Sequence, residues 1–285
     1  EAEALYLRPD QDIGTEQQIK RRQRNIEALD TRLDLLDMLA DPWRGRRSSR
    51  QTIDTAIFEH LDAPKRDAIA ALWSTAPAFW VVGPPGVGKT TLATAVVHAI
   101  FRTDPAARVL VCAQGHDALD NLEQKIAALR GRELDQDLVI VRSIADDRDG
   151  PRRLDRVAAE TLEAFLASEL VQNAPAGLRR HVEQLAARGQ GNDERQSGVL
   201  SSLVLEAANI VVSTLNSGDI ERMVANREPF DWVIVEEAAK ATGPELAGAL
   251  ALGSRRLLIG DHRQLPPFDA DRLGVVFADS ELVRK

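Results

Sequence analysis

Apolar residues recur along this chain in two rhythms. Six short runs are apolar at nearly every position: Phe79–Val82, Val109–Ala113, Leu138–Val141, Ile210–Ser213, Val233–Val235 and Leu257–Ile259. Unbroken runs of Val, Ile and Leu at this length predict strands covered on both faces, as parallel sheets require. Between several of them the apolar positions fall at helical spacing, for example through Ala68–Trp73 and the Ala-rich Thr91–Phe101. Strand and helix in alternation predict an α/β fold with a mainly parallel sheet and right-handed crossovers.

Two stretches depart from that rhythm. Gln17–Ala40 predicts one long polar helix, with Ile19, Ile26, Leu29, Leu33, Leu36 and Leu39 at mostly helical spacing and Pro42 closing it. A basic, Ser-containing linker, Arg44–Arg50, follows, and then a second helix over Asp54–Leu61. Later, Asp146–Glu206 holds no strand run but three helical segments, Arg153–Leu170, Gly177–Ala187 and Gly198–Ala208, with Gly189–Gln196 a loop by composition. Three helices in one connection exceed a simple strand–helix–strand unit, so this block reads as a helical insertion between two core strands.

Composition narrows the class. The chain has 285 residues, of which 44% are hydrophobic, enough for a substantial core. No apolar run approaches ~18 residues, so no membrane span is expected. Cys112 is the only cysteine, which excludes an internal disulfide and fits a cytoplasmic protein. The net charge of −8 argues against a wholly basic nucleic-acid coat but leaves room for a local basic groove. Arg44, Arg46, Arg47 and Arg50, and Arg152, Arg153 and Arg156, read as solvated clusters.

The chemistry is concentrated in three places. Gly83, Pro84, Pro85, Gly86, Val87, Gly88, Lys89 and Thr90 form a complete G-x-x-x-x-G-K-[ST] loop between a strand and a helix, with Thr91 continuing it. Such a loop wraps backbone N–H groups around a phosphate chain, at the positive N-terminus of the following helix. Lys89 then reaches the β- and γ-phosphates, and the Thr90 hydroxyl sits on Mg²⁺. An apolar strand ends in Glu236 and Glu237, the arrangement in which one carboxylate holds Mg²⁺ and the next polarises the attacking water. A third strand ends in Gly260-Asp-His-Arg-Gln264-Leu-Pro-Pro, where Gln264 can bond a γ-phosphate and lose it after hydrolysis.

Together these motifs resemble the first RecA-like domain of superfamily 1 helicases, in the branch of the nonsense-mediated-decay helicase and senataxin. Gly83–Thr90 is similar to motif I, Val111–Asp120 to motif Ia, Val212-Ser-Thr-Leu to a later strand-end motif that touches the nucleic-acid backbone, Glu236-Glu-Ala-Ala-Lys240 to motif II, and Gly260–Pro267 to motif III. The resemblance covers about Leu61 to Pro267 in family order. It implies a RecA-like P-loop NTPase over 61–285 with 146–206 inserted, and a helical stalk region over 1–60. It further implies ATP and Mg²⁺ as cofactors and single-stranded DNA or RNA bound near Gly115, His116, Ser213 and Thr214 through phosphate contacts. The completing arginines are expected from a second RecA-like domain that this chain does not include, so the chain alone is expected to bind ATP and turn it over poorly.

Four positions depart from the family pattern. Glu236 stands for the usual Asp and lengthens the reach to a tight Mg²⁺ shell. Lys240 stands for Gln. Lys65 lies where an adenine-reading Gln is usual. Gly115 and His116 replace a Ser/Thr–Asn pair, though Gly115 still offers a backbone N–H. Two other functions fit the same loop: a P-loop switch that remodels a protein or ribonucleoprotein partner, and an ATP-dependent interaction module without unwinding. The low aromatic content of 4% leaves few platforms for stacking bases.

Overall fold

The computed structural model describes residues 10–41, 47–48, 52–129, 138–142, 152–189, 194–227, 229–261 and 263–264. Pro42, most of the basic Arg44–Arg50 segment, His262 and Leu265–Pro267 lie outside the described residues. Within that basic segment, Arg47–Ser48 pairs antiparallel with Thr75–Ala76.

Six strands form one sheet: β1 (Ala78–Val82), β2 (Val109–Ala113), β3 (Ile140–Arg142), β4 (Ile210–Thr214), β5 (Phe230–Glu236) and β6 (Gly253–Gly260). Their order is β1-β6-β5-β2-β4-β3, and every pairing is parallel. The α/β expectation holds, and each strand grows from an apolar run seen in the sequence. β5 and β6 start earlier than those runs: Phe230 and Trp232 pair with Gly253 and Arg255 ahead of them.

The helices are α1 (Asp10–Glu27), α2 (Leu33–Ala40), α3 (Ala63–Trp73), α4 (Lys89–Thr103), α5 (His116–Leu129), α6 (Leu154–Ala167), α7 (Glu169–Gln172), α8 (Ala176–Gly189), α9 (Glu194–Ala207), α10 (Gly218–Asn226) and α11 (Gly243–Leu252). Successive strand residues face opposite sides of the sheet. Val109, Val111 and Ala113 therefore meet α3, α4 and α5 through Leu72, Val96, Ile100, Leu122 and Ile126. Leu110 and Cys112 meet the other layer, where Leu35, Leu154, Leu205, Met223 and Leu250 sit. Burial on both faces explains why the strand runs do not alternate.

The N-terminal segment differs from its sequence reading. It is not one helix: a 3₁₀ turn at Ala28–Thr31 and the non-helical Arg32 separate α1 from α2. The regular stripe of Ile19, Ile26, Leu33, Leu36 and Leu39 faces solvent, whereas Leu35 and Met38 enter the core. Polar groups dock α1. Arg22 donates to Glu245 at 2.7 Å, and Asn25 packs so closely on α11 that a Cβ at Gly248 would fall 2.6 Å from its side chain. Arg32 donates to the carbonyls of Ala251 and Gly253 at the end of α11. Asp54–Leu61 forms only a single 3₁₀ turn, Ala56–Phe58, and sends Phe58 and Leu61 into the core.

Candidate functional site

A parallel sheet sends the carboxyl end of every strand to one edge, where its loops converge. β1 runs there into the loop Gly83–Gly88. Gly86 and Gly88 have φ of +81° and +84°, a left-handed backbone that a side chain would strain. Gly88 caps α4, so Lys89 and Thr90 are its first two residues, at the positive end of the helix. The Gly83 N–H donates to Gly260 O at 3.2 Å, tying the loop to the end of β6.

The resulting cleft, about 340 Å³, is lined by Pro85, Gly86, Gly88, Lys89, Thr90, Glu236, Glu237, Lys240, Asp261 and Gln264 among others. It thus gathers the loop with both strand-end motifs found in the sequence. Lys89 Nζ donates to the loop carbonyls of Gly83 at 2.7 Å and Pro84 at 2.9 Å. Gln264 Nε2 donates to Asp261 Oδ2 at 3.1 Å. Thr91 is exposed on α4 and does not line the cleft. Val87 and Gly83 face a second hollow of about 500 Å³ on the loop's other flank. Lys65 lines that hollow, and its Cε lies 3.0 Å from where Gly88 would carry a Cβ.

Glu236 is buried, and its Oε1 accepts from Thr90 Oγ1 at 2.5 Å. Burial pushes its carboxyl above the ordinary range, helped by the like charge of Glu237 and opposed by the Thr90 hydrogen bond. Its Oε2 is buried without a hydrogen-bond partner. A buried carboxylate oxygen left open beside a hydroxyl suits a hard cation that takes oxygen ligands. Among the described residues no three His, Cys, Asp or Glu side chains gather as metal ligands, so such a cation would draw most of its shell from phosphate and water. Glu237 has φ +55°, a left-handed residue at the turn after β5, the kind of strained backbone that gathers at functional sites. Lys240 Nζ donates to Glu237 Oε1 at 2.7 Å.

Sequence reasoning missed Lys125. It lies on α5, lines the same cleft and lends positive charge to Glu236. Its spacing from Leu122 and Ile126 shows that it leaves the core face of α5, but not which neighbour it meets.

The expected nucleic-acid residues lie next along the same edge. Gly115 and the helix-starting His116 follow β2, and Thr214 ends β4; all three are partly exposed. β2 and β4 are neighbours, with Ala113 opposite Thr214. Ser213 is different: it is only 1% exposed, and its hydroxyl donates to Thr214 O at 3.3 Å. Ala113 is also opposite Glu236, so the two groups of residues share the β5–β2 boundary.

Residues 60–197 and 173–269 match the family model described as AAA domain. The chain belongs to that AAA domain family. Mouse DNA-binding protein SMUBP-2 is 28% identical over 230 residues, spanning 73% of this chain and 22% of that protein. Human DNA replication ATP-dependent helicase/nuclease DNA2 is 25% identical over 232 residues, 80% of this chain and 18% of its own length. ATP-dependent helicase upf1 of Schizosaccharomyces pombe is 29% identical over 225 residues, 73% and 22% respectively. The chain therefore spans about a fifth of the curated relatives it matches. The resemblance to the superfamily 1 motor domain holds for this AAA domain chain, and its fold is RecA-like. Among the described residues no helix is long and apolar enough to cross a membrane.

Proposed function

We propose that this AAA domain binds and hydrolyses ATP as half of a motor that moves on single-stranded DNA or RNA. The observation that carries this is the cleft in which Lys89, Thr90, Glu236, Glu237 and Gln264, from three different strand ends, converge. Loop N–H groups and the α4 terminus would hold the phosphates, and Lys89 would leave the carbonyls of Gly83 and Pro84 for the β- and γ-phosphates. Thr90 and Glu236 would hold Mg²⁺, which neutralises charge on the phosphate oxygens when bound. Glu237 would orient water for in-line attack. The water oxygen bonds to the γ-phosphorus, the bond to the bridging oxygen of ADP breaks, and the water proton passes by way of Glu237 to leave ADP and inorganic phosphate. Gln264 would report whether the γ-phosphate is present. The hollow beside Lys65 would receive the base end of the nucleotide, on the loop flank away from the two carboxylates.

Gly115, His116 and Thr214 would meet nucleic-acid phosphates. A second RecA-like domain, joined in the native protein, would supply arginines to the γ-phosphate in the transition state. Turnover by residues 1–285 alone would then be slow and would rise by orders of magnitude when that domain is restored.

Calorimetric titration with ATP is the direct test. Lys89→Ala removes the loop's cation and should abolish measurable affinity, whereas Glu237→Gln should keep it. In the intact motor Glu237→Gln should drop phosphate release at least about a hundredfold. Equal ATP affinity for wild type and Lys89→Ala refutes the nucleotide site.

A further inference from the structure

Lys240 stands one turn beyond Glu237, and the backbone between them is held on both sides. Lys240 N donates to Glu237 O at 2.9 Å within the 3₁₀ turn Ala238–Lys240. The turn packs so tightly on the end of β6 that a Cβ at Gly260 would come within 3.0 Å of Ala239 N. Glu237 itself is fixed at φ +55°. What remains free is the Glu237 side chain, which is 33% exposed. A glutamate at that exposure samples many rotamers. The Lys240 ammonium, 2.7 Å from Oε1, removes that freedom, and it does so inside the cleft lined by Lys89 and Thr90.

We propose that Lys240 is a positioning residue for Glu237: it holds one carboxylate oxygen so that the other is presented to the attacking water. This rests on Glu237 acting on that water. The glutamine usual at this place in the resembled motif would give a neutral hydrogen bond, about half as strong as the charge-assisted bond made by an ammonium. The ion pair is partly exposed and contributes little to folding. Its loss should therefore appear in the chemical step and leave fold and nucleotide affinity unchanged.

The test uses the full-length native protein with single-stranded nucleic acid present. Lys240→Met keeps the length and removes the charge. It should lower kcat about tenfold and leave KM within about twofold. Lys240→Arg should keep kcat within about threefold, because a guanidinium restores the pair. In a Glu237→Gln background, followed by single-turnover release of radiolabelled phosphate, adding Lys240→Met should change the rate less than about twofold. A tenfold loss that persists in that background overturns the proposal. So does a change in KM alone, or a Lys240→Arg variant as slow as Lys240→Met. Failure of the nucleotide site itself is told apart by binding: wild type and Lys89→Ala would then take up ATP equally, and the proposal would fall with that site.

Discussion

Glu236 occupies its cleft at an electrostatic disadvantage. Burial and the neighbouring Glu237 raise its proton affinity in the folded state, and the Thr90 hydrogen bond only partly opposes them. The folded protein thus holds this proton more tightly than the unfolded chain does. Its contribution to stability is full below the ordinary glutamate range and is lost as pH rises through the raised folded value. Glu236→Gln should accordingly raise the melting temperature of the nucleotide-free protein by a few degrees at neutral pH. The gain should vanish once the pH falls below the ordinary carboxylate range. Scanning calorimetry across that range checks it, and identical melting at neutral pH would mean that the carboxylate is well solvated. Gly83–Thr90, Glu236 and Glu237 were legible in the sequence because a loop and a strand end declare themselves over a few neighbouring residues. Lys125 was not, because a helix position meets the cleft only through packing. The burial of Ser213 was hidden for the same reason.

Among elements, α2 and β6 are joined by an unusual bond. Arg256 is fully buried; its Nε donates to Leu250 O at 2.6 Å and its Nη1 to Asp34 at 3.1 Å. Burial lowers its pKa to about 10, against the pull of Asp34. Removing Asp34 would leave a buried cation without its counter-charge. Asp34→Ala should cost on the order of 2–3 kcal/mol in chemical denaturation, and pairing it with Arg256→Met should recover much of that. A single mutant as stable as wild type would show that the backbone carbonyls alone satisfy Arg256. This docking was not legible beforehand. The sequence offered a regular apolar stripe, and its spacing predicted one helix where the structure has two with a break between them. Yet the face that packs is set by Leu35, Met38 and a set of arginines whose partners lie some two hundred residues away. The strands fared better, since fully apolar runs need both faces covered wherever they lie.

At the scale of the whole molecule, strand order sets two candidate sites side by side. β1, β6 and β5 end at the nucleotide cleft, and β2 and β4 end at Gly115, His116 and Thr214. If single-stranded nucleic acid crosses that second stretch through phosphate contacts, affinity should be independent of sequence and fall steeply with salt. A photo-crosslinker placed at His116 or Thr214 should capture an oligonucleotide, and one placed on the exposed Leu33 of α2 should not. Capture from Leu33 alone, or affinity indifferent to salt, would move the binding face elsewhere. The strand that feeds the phosphate loop has a further property. β1 ends the sheet, and among the described residues it pairs only with β6. An edge strand is a template on which another strand can be laid. Any segment added there, from the same chain or another, would be bonded to the five residues that lead directly into Gly83. A strand laid there would bear on the backbone that enters the Gly83–Gly88 loop, along the flank where Phe79–Val82 line the hollow beside Lys65.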